Sequence, residues 1–385
     1  MYPTKNKCFF CAFYTIQYKK RIAETVLHHS KLHYGEIMVK MIDVAERAGV
    51  SVATVSNVLT GKRVVSPEIT ERVMKAINEL DYHVNMMARG LKTQKTNVIG
   101  VILPDITKLF FNDVLKGIIT AANDAGYSVN ILTTNFNIDN ERRHISTLKV
   151  NNCEAIILDT CSDYMDADKW ADVITNNGSS SIPIVCLEVP LNSEKVSSVL
   201  VDCHSASYQM TSHLLEMGKN KILYISGPQH LWQEKERLAG YKEALSDYGV
   251  RVNQSLIVQR DFMANSSYDA VKNVLNSEIC FDAIQGSNDE AAIGALKALS
   301  EMGIKIPEEL VICGFDNLFP SSIISPPITT IDVPRFDMGY AAVKECLRRI
   351  DNPDAAPRSI ELKTKFLIRQ STVPDAESEW DLTNW

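Results

Sequence analysis

The side chains in this sequence that could do chemistry are suited to binding rather than to catalysis. Its 385 residues contain no glycine-rich phosphate loop, nucleophile elbow or HExxH, and no His/Cys set with metal-ligand spacing. Neither a cofactor nor a metal is expected. What stands out is a trio of polar residues beside predicted strand ends and helix starts. Arg237 offers five donors in a fixed fork, Asp316 can accept from two neighbouring hydroxyls, and Asn288 can do both. Such a set matches vicinal hydroxyls of a sugar, and Phe110 or Trp232 could stack on the apolar face of its ring. Asp105 and Asp163 are further candidates facing the trio. On residue type alone, Arg237 could equally cap or pair on its own helix.

A second set lies near the start. In Met41–Leu59 a short amphipathic segment, Gly49 and a second segment with small and polar residues on its outer side follow one another. Ala45 lets two helices approach, Gly49 takes a turn backbone that a Cβ disfavours, and Val55 and Val58 fill the angle between the helices. That is the pattern of a helix-turn-helix, whose second helix lies in the DNA major groove. Ser51 is a natural N-cap for this helix. Ser66-Pro67-Glu68 starts a third, with Ile69, Val73, Ile77 and Leu80 on one face.

Behind the head, the elements that must position the trio alternate. Val98–Pro104 is an unbroken apolar run, as in a buried parallel strand. Strands at Ser128–Leu132, Ala155–Leu158, Ile184–Leu187, Ile222–Ser226, Ala283–Gln285 and Val311–Gly314 alternate with helical segments. These include Ser205–Glu216, Arg237–Tyr248, Asp289–Leu299 and Phe336–Ile350. Repeated βα units imply open parallel sheets covered on both faces, with ligands beyond the carboxyl ends of the strands. The length suits two such sheets across a cleft.

The net charge of −7 is unevenly spread: residues 1–37 carry +4, residues 38–92 carry +2 and the remainder −13. A mildly basic head on an acidic body suits a molecule that touches phosphate at one end, and so small a charge implies two heads on the DNA. No run is apolar enough to span a membrane. The nine scattered cysteines read as reduced, buried thiols of a cytoplasmic protein. Residues 1–37 read as a non-native extension, untranslated leader in front of a true start at Met38. Gly35-Glu36-Ile37 can be encoded as a ribosome-binding sequence, and a tryptic peptide from before Met38 would exclude this.

From Val39 to Val373 the sequence resembles the LacI family of bacterial transcription regulators. Besides the head, seven blocks follow in the family's order. They are Ala88-Arg89-Gly90-Leu91, Ile99–Ile106 with Phe110-Phe111, Arg237–Tyr241, Asn288–Gly294, Gly314-Phe315-Asp316, Pro326–Ile331 and Leu367–Thr372. The resemblance implies an N-terminal all-α helix-turn-helix head plus an α/β two-lobed sensor domain. That sensor domain is like periplasmic binding proteins, with two parallel doubly wound sheets. The implied domains are a head at 38–83, a hinge helix and linker at 84–96, an effector-binding and dimerisation domain at 97–373, and a tail at 374–385. Lobe 1 is expected at 97–181 and 332–361, and lobe 2 at 182–331 and 362–373. The tail shows no leucine heptads.

The resemblance also assigns roles. Val52, Ala53 and Asn57 would face base edges, Asn57 able to pair bidentately with adenine. Ser51, Thr54 and Ser56 would bind phosphate oxygens. Hinge helices of two subunits would pair in the minor groove of a palindromic operator, with Asn85, Ala88 and Lys92 along it and Leu91 wedged into the central step. The expected protein is a homodimeric repressor of a carbohydrate-utilisation operon, released by a sugar bound between the lobes. Departures fall at the cleft walls: Lys108-Leu109 before the aromatic pair, Glu154-Ala155 before a central strand, Cys203 after Asp202, and Lys219-Asn220 after Gly218. Two alternatives remain open. One is a global catabolite regulator using a phosphorylated carrier protein as corepressor, and the other is a sugar-binding protein of the transport type.

Overall fold

Local signals build the head. The structure, a computed structural model, describes residues 39–61, 63–82, 96–161, 182–190 and 196–377. Residues 1–38 and the expected hinge positions Asn85, Ala88, Leu91 and Lys92 lie outside the described residues, as does Asp163. Helix α1 (Met41–Ala48) begins where Lys40 N donates to Asp43 Oδ2 at 2.6 Å, and it stops at Gly49, whose φ of 65° is left-handed. In front of α2 (Val52–Thr60), Ser51 Oγ accepts from Thr54 N at 3.1 Å. Ser66 does the same for Ile69 N ahead of α3 (Pro67–Glu79). Val44, Ala45, Ala48, Val55, Val73 and Ala76 form the head's core, edged by Val58, Ile69, Ile77 and Leu80. Arg72 on α3 donates to Ala48 O (2.6 and 3.2 Å) and Gly49 O (3.1 Å), satisfying carbonyls that the end of α1 leaves open. Arg47 and Glu79 pair at 2.5 Å between α1 and α3.

A second unit, separate from the head, begins at Thr93. Its first half runs β1 (Val98–Leu103), α4 (Phe110–Asp124), β2 (Ser128–Thr133), α5 (Ile138–Val150), β3 (Ala155–Leu158), β4 (Ile184–Leu187) and β5 (Val196–Val201). Then come α6 (Cys203–Glu216), β6 (Ile222–Ser226), α7 (Trp232–Asp247), β7 (Ile257–Gln259), α8 (Ala264–Leu275), β8 (Ala283–Gly286) and α9 (Asp289–Glu301). The chain continues with β9 (Val311–Cys313), α10 (Phe319–Ile323), β10 (Thr330–Asp332), α11 (Arg335–Asp351), β11 (Ser359–Leu362) and β12 (Lys365–Leu367).

Six strands in the order β11-β5-β4-β3-β1-β2 make the sheet of lobe 1, every neighbour parallel. The sheet of lobe 2 has the order β7-β6-β8-β9, also parallel. An antiparallel pair, β10 with β12, lies where the chain passes between them. Alternate residues of each central strand face opposite layers. Ile99, Val101 and Leu103 of β1 pack toward α4 and α11, and Ile102 packs toward α5. In lobe 2, Ile222 and Tyr224 of β6 face α6 and α7, whereas Leu223 and Ile225 face α8 and α9. Both sheets are covered on both faces, which is why their strands read as continuous apolar runs.

The lobe boundary expected at 182 is corrected. Strands β4 and β5 pair onto β3 in register, Ile156 opposite Ile184 and Ile184 opposite Val196, so lobe 1 extends through Val201. The thiol reading also needs a correction: Cys153, Cys161, Cys186, Cys203, Cys313 and Cys346 are buried and free, but Cys280 is exposed. Helices within a lobe meet closely. A Cβ on Gly117 of α4 would stand 2.0 Å from Phe336 O, and one on Gly339 of α11 would stand 2.0 Å from Val114 O. A Cβ on Gly294 of α9 would likewise meet Ala264 O at 2.0 Å. Among the described residues no helix is long and apolar enough to cross a membrane.

Candidate functional site

The carboxyl ends of both sheets face one cavity of about 710 Å³, counting space open to solvent. Arg237, one turn into α7, is its centre. Nη1 donates to Ser287 O at 2.6 Å, Nη2 donates to Asp316 Oδ1 at 3.2 Å, and the guanidinium lies 3.9 Å from the Phe315 ring centroid. Glu188, just past β4, approaches Nη2 at 4.0 Å. Two buried atoms of this cluster have no hydrogen-bond partner among the described residues: Arg237 Nε and Glu188 Oε1. One is a donor and the other an acceptor, and both residues line the cavity.

Asn288 is the N-cap of α9. Its Oδ1 accepts from Ala291 N at 2.8 Å and its Nδ2 donates to Phe262 O at 3.1 Å. It lines the cavity while holding Phe262 there. Across the cleft Lys108, in the loop after β1, pairs with Glu290 of α9 at 3.3 Å. Arg335, at the start of α11, pairs with Asp113 at 2.7 Å and donates to the carbonyls of Asp316 and Asn317. These contacts tie lobe 1 to lobe 2.

Burial sets the electrostatics. It pushes the carboxyl of Asp316 up to about 6, with Arg237 and then Arg335 pulling the other way. It raises Glu188 against the pull of Arg237, and it raises Asp159 well above the usual carboxylate range, with Glu188 and Glu141 adding to the shift. Arg237 itself stays firmly protonated, because Asp316 and the other anions around it outweigh its burial. Cys161, also in the lining, is no nucleophile: burial and Glu141 push its thiol up to about 12.

Backbone strain gathers here too. Nine described residues other than glycine adopt a left-handed backbone, and four of them line the cavity: Phe136 (58°), Glu188 (59°), Phe262 (66°) and Asp316 (102°). A phenylalanine or glutamate in that region is disfavoured, and such residues collect where a site imposes the geometry.

Of the expected effector residues, the structure brings Phe110, Arg237, Asn288 and Asp316 together. It does not bring Asp105: both Thr107 N and Thr107 Oγ1 donate to its Oδ1, so the carboxylate closes a turn outside the lining. Trp232 is corrected as well. Its ring packs at the edge of the lobe 1 core, and its neighbours Leu231 and Gln233 line the cavity instead. Sequence reasoning placed Lys108 at a cleft wall without a role, and missed Phe136, Asp159, Glu188, Phe262 and Glu290. Asp159 and Glu188 each directly follow a four-residue apolar strand, and an acid at the carboxyl end of a parallel strand is the signal that could have found them. Among the described residues no group of three or more His, Cys, Asp or Glu is arranged to hold a metal.

On the head, Val52 and Ala53 are exposed at the start of α2, with Thr54, Ser56 and Asn57 half-buried behind them. Ser51 is partly committed, sharing a 2.9 Å hydrogen bond with Thr54 Oγ1 in addition to its cap. This leaves a small apolar surface at the helix N-terminus, where backbone N–H groups favour phosphate.

Known proteins match both units. Residues 40–85 match the model of bacterial regulatory proteins of the lacI family, and residues 96–370 match periplasmic binding proteins and the sugar binding domain of the LacI family. A ribose operon repressor from Halalkalibacterium halodurans is 31% identical over 342 residues, 89% of this chain and 99% of that protein. The crystal structure of the Lac repressor dimer bound to operator and the anti-inducer ONPF shares 25% identity with a TM-score of 0.78, covering 87% of this chain and 99% of that one. A LacI family regulator from Enterococcus faecium with bound ribose shares 25% identity with a TM-score of 0.63, over 72% of this chain and 99% of its own. With its head, two lobes and cleft in this order, the chain belongs to the LacI family, DNA-binding transcriptional regulators and not enzymes.

Proposed function

We propose that the protein is a homodimeric cytoplasmic repressor of a carbohydrate-utilisation operon, and that a sugar in the interlobe cleft releases it from its operator. The observation that carries the effector reading is the orphaned pair Arg237 Nε and Glu188 Oε1. A sugar hydroxyl accepts from one and donates to the other, with Asp316 and Asn288 beside them and Phe110 against the ring face. A buried polar group left unmatched is costly, so a ligand that supplies both partners recovers that cost on binding.

In this reading Ser51, Thr54 and Ser56 contact phosphate, and Val52, Ala53 and Asn57 meet base edges. Asn85, Ala88, Leu91 and Lys92 form the hinge that enters the minor groove, with Leu91 opening the central step. Effector and operator then oppose each other through a coupling of about 1–3 kcal/mol. The test starts with inverted-repeat duplexes selected by binding from random sequence. Sugars that raise the melting temperature of the full chain are then added to a mobility-shift assay. Release by a stabilising sugar is expected, and Leu91→Ala should abolish specific binding with the sensor domain still folded. A strictly monomeric chain with no preference for inverted repeats would overturn the reading.

A further inference from the structure

The cavity is lined by five carboxylates, Asp159, Glu188, Asp261, Glu290 and Asp316, against two cations, Arg237 and Lys108. Both cations are already engaged, Arg237 by Asp316 and Glu188 and Lys108 by Glu290. Asp261 accepts from Met263 N and from Ser266 Oγ. Asp159 is different. It is 2% exposed, it lies at the end of β3 in the lining, and it has neither a cation nor a hydrogen-bond donor among the described residues. The donors that follow it in sequence turn away: Thr160 Oγ1, Cys161 N and Cys161 Sγ all donate to Glu141, at 2.8–2.9 Å. Its neighbour Glu188, just past the adjacent strand, adds a second carboxylate with an unpartnered oxygen.

A neutral hydroxyl would give Asp159 one hydrogen bond but nothing to offset the cost that burial sets on its charged form. A charged nitrogen supplies donor and counter-charge together. The walls suit a cation as well: Phe110, Phe111, Phe136 and Phe262 line the same cavity, and ring faces attract ammonium groups. We infer that the effector is an amino sugar whose ammonium group is held by Asp159 and whose hydroxyls are held around Arg237. This rests on the sugar reading above and narrows it to a class.

The test titrates the full chain by calorimetry with D-glucosamine, D-galactosamine and D-mannosamine. Each is set against its parent hexose and its N-acetyl derivative. At least one amino sugar should bind ten times or more tighter than both counterparts, and Asp159→Asn should remove that preference. Glu188→Gln serves as the second variant, with thermal melts to show that both fold. A parent hexose that binds as tightly as its amino form, with Asp159→Asn making no difference, overturns the inference and leaves the sugar reading standing. Silence from every sugar together with stabilisation by nucleobases overturns both. Silence from every probe overturns the amino-sugar assignment.

Discussion

Arg237 is held by its surroundings more than it holds them. Glu188 and Asp316 are both nearly inaccessible to water, so removing the guanidinium strands two anions. Arg237→Met is expected to cost about 3–5 kcal/mol in urea unfolding of the sensor domain, as for other broken buried pairs. Adding Glu188→Gln should return part of that loss; no return would separate Glu188 from the pair. Asp289, buried beneath the cleft, gives a pH prediction. Its carboxylate accepts from Thr330 Oγ1 and Leu318 N, both at 2.6 Å, and burial pushes it up to about 7. A carboxyl raised in the folded state adds stability that is complete below its unfolded value near 4 and is lost as pH rises through the folded value. Asp316 near 6 and Glu234 near 7 have the same sign. His213, whose buried ring is held below its ordinary value, acts oppositely and loses stability as pH falls. These carboxyls, with Glu188, Asp159 and Glu141 raised in the same direction, outweigh one imidazole and predict that the melting temperature falls between pH 5 and pH 8. Asp289→Asn should flatten the slope, and an unchanged slope would remove Asp289 from the account.

At the scale of elements, what the sequence disclosed was what is decided locally. Ser51 and Ser66-Pro67 announced α2 and α3, because a cap depends on residues three positions apart. Ser51→Ala should therefore cost the head about 1 kcal/mol, visible in its thermal unfolding. Elements escaped notice where a buried polar side chain broke the pattern. Strand β5 carries Ser197 and Ser198 in its interior, and Ser197 is satisfied by Glu345, far along the chain, at 2.7 Å. The lobe boundary fell too early because β4, though read as a strand, was given to the wrong sheet, and β5 beyond it was unread. Helix α7 starts at Trp232, earlier than Arg237, because buried Glu234 is matched by Tyr224 OH at 3.0 Å. Likewise the core of the site, Arg237, Asn288 and Asp316, was visible as residue types at strand ends. Asp159 and Glu188 carried a similar strand-end signal, but that they lie next to each other showed only once β3 and β4 were side by side.

Across the whole molecule, two lobes are joined by few polar contacts at the cleft mouth. The pair Lys108–Glu290 bridges them directly, with both groups partly buried. Lys108→Ala should weaken effector binding about fivefold in calorimetry, equivalent to about 1 kcal/mol. Unchanged affinity would mean that this pair does not help to hold the lobes around the effector. The glycine contacts between α4 and α11, and between α8 and α9, bear on how stiff each lobe is. With backbones touching, Gly117→Ala has no side chain to displace and should cost about 3 kcal/mol. Within a lobe, therefore, sliding between these helices is blocked, and any movement between the lobes is expected to leave each one a stiff plate. Selection for a new effector thus has the cleft lining free to vary while the plates stay fixed. Descendants of this protein can change what they sense without relearning how to move.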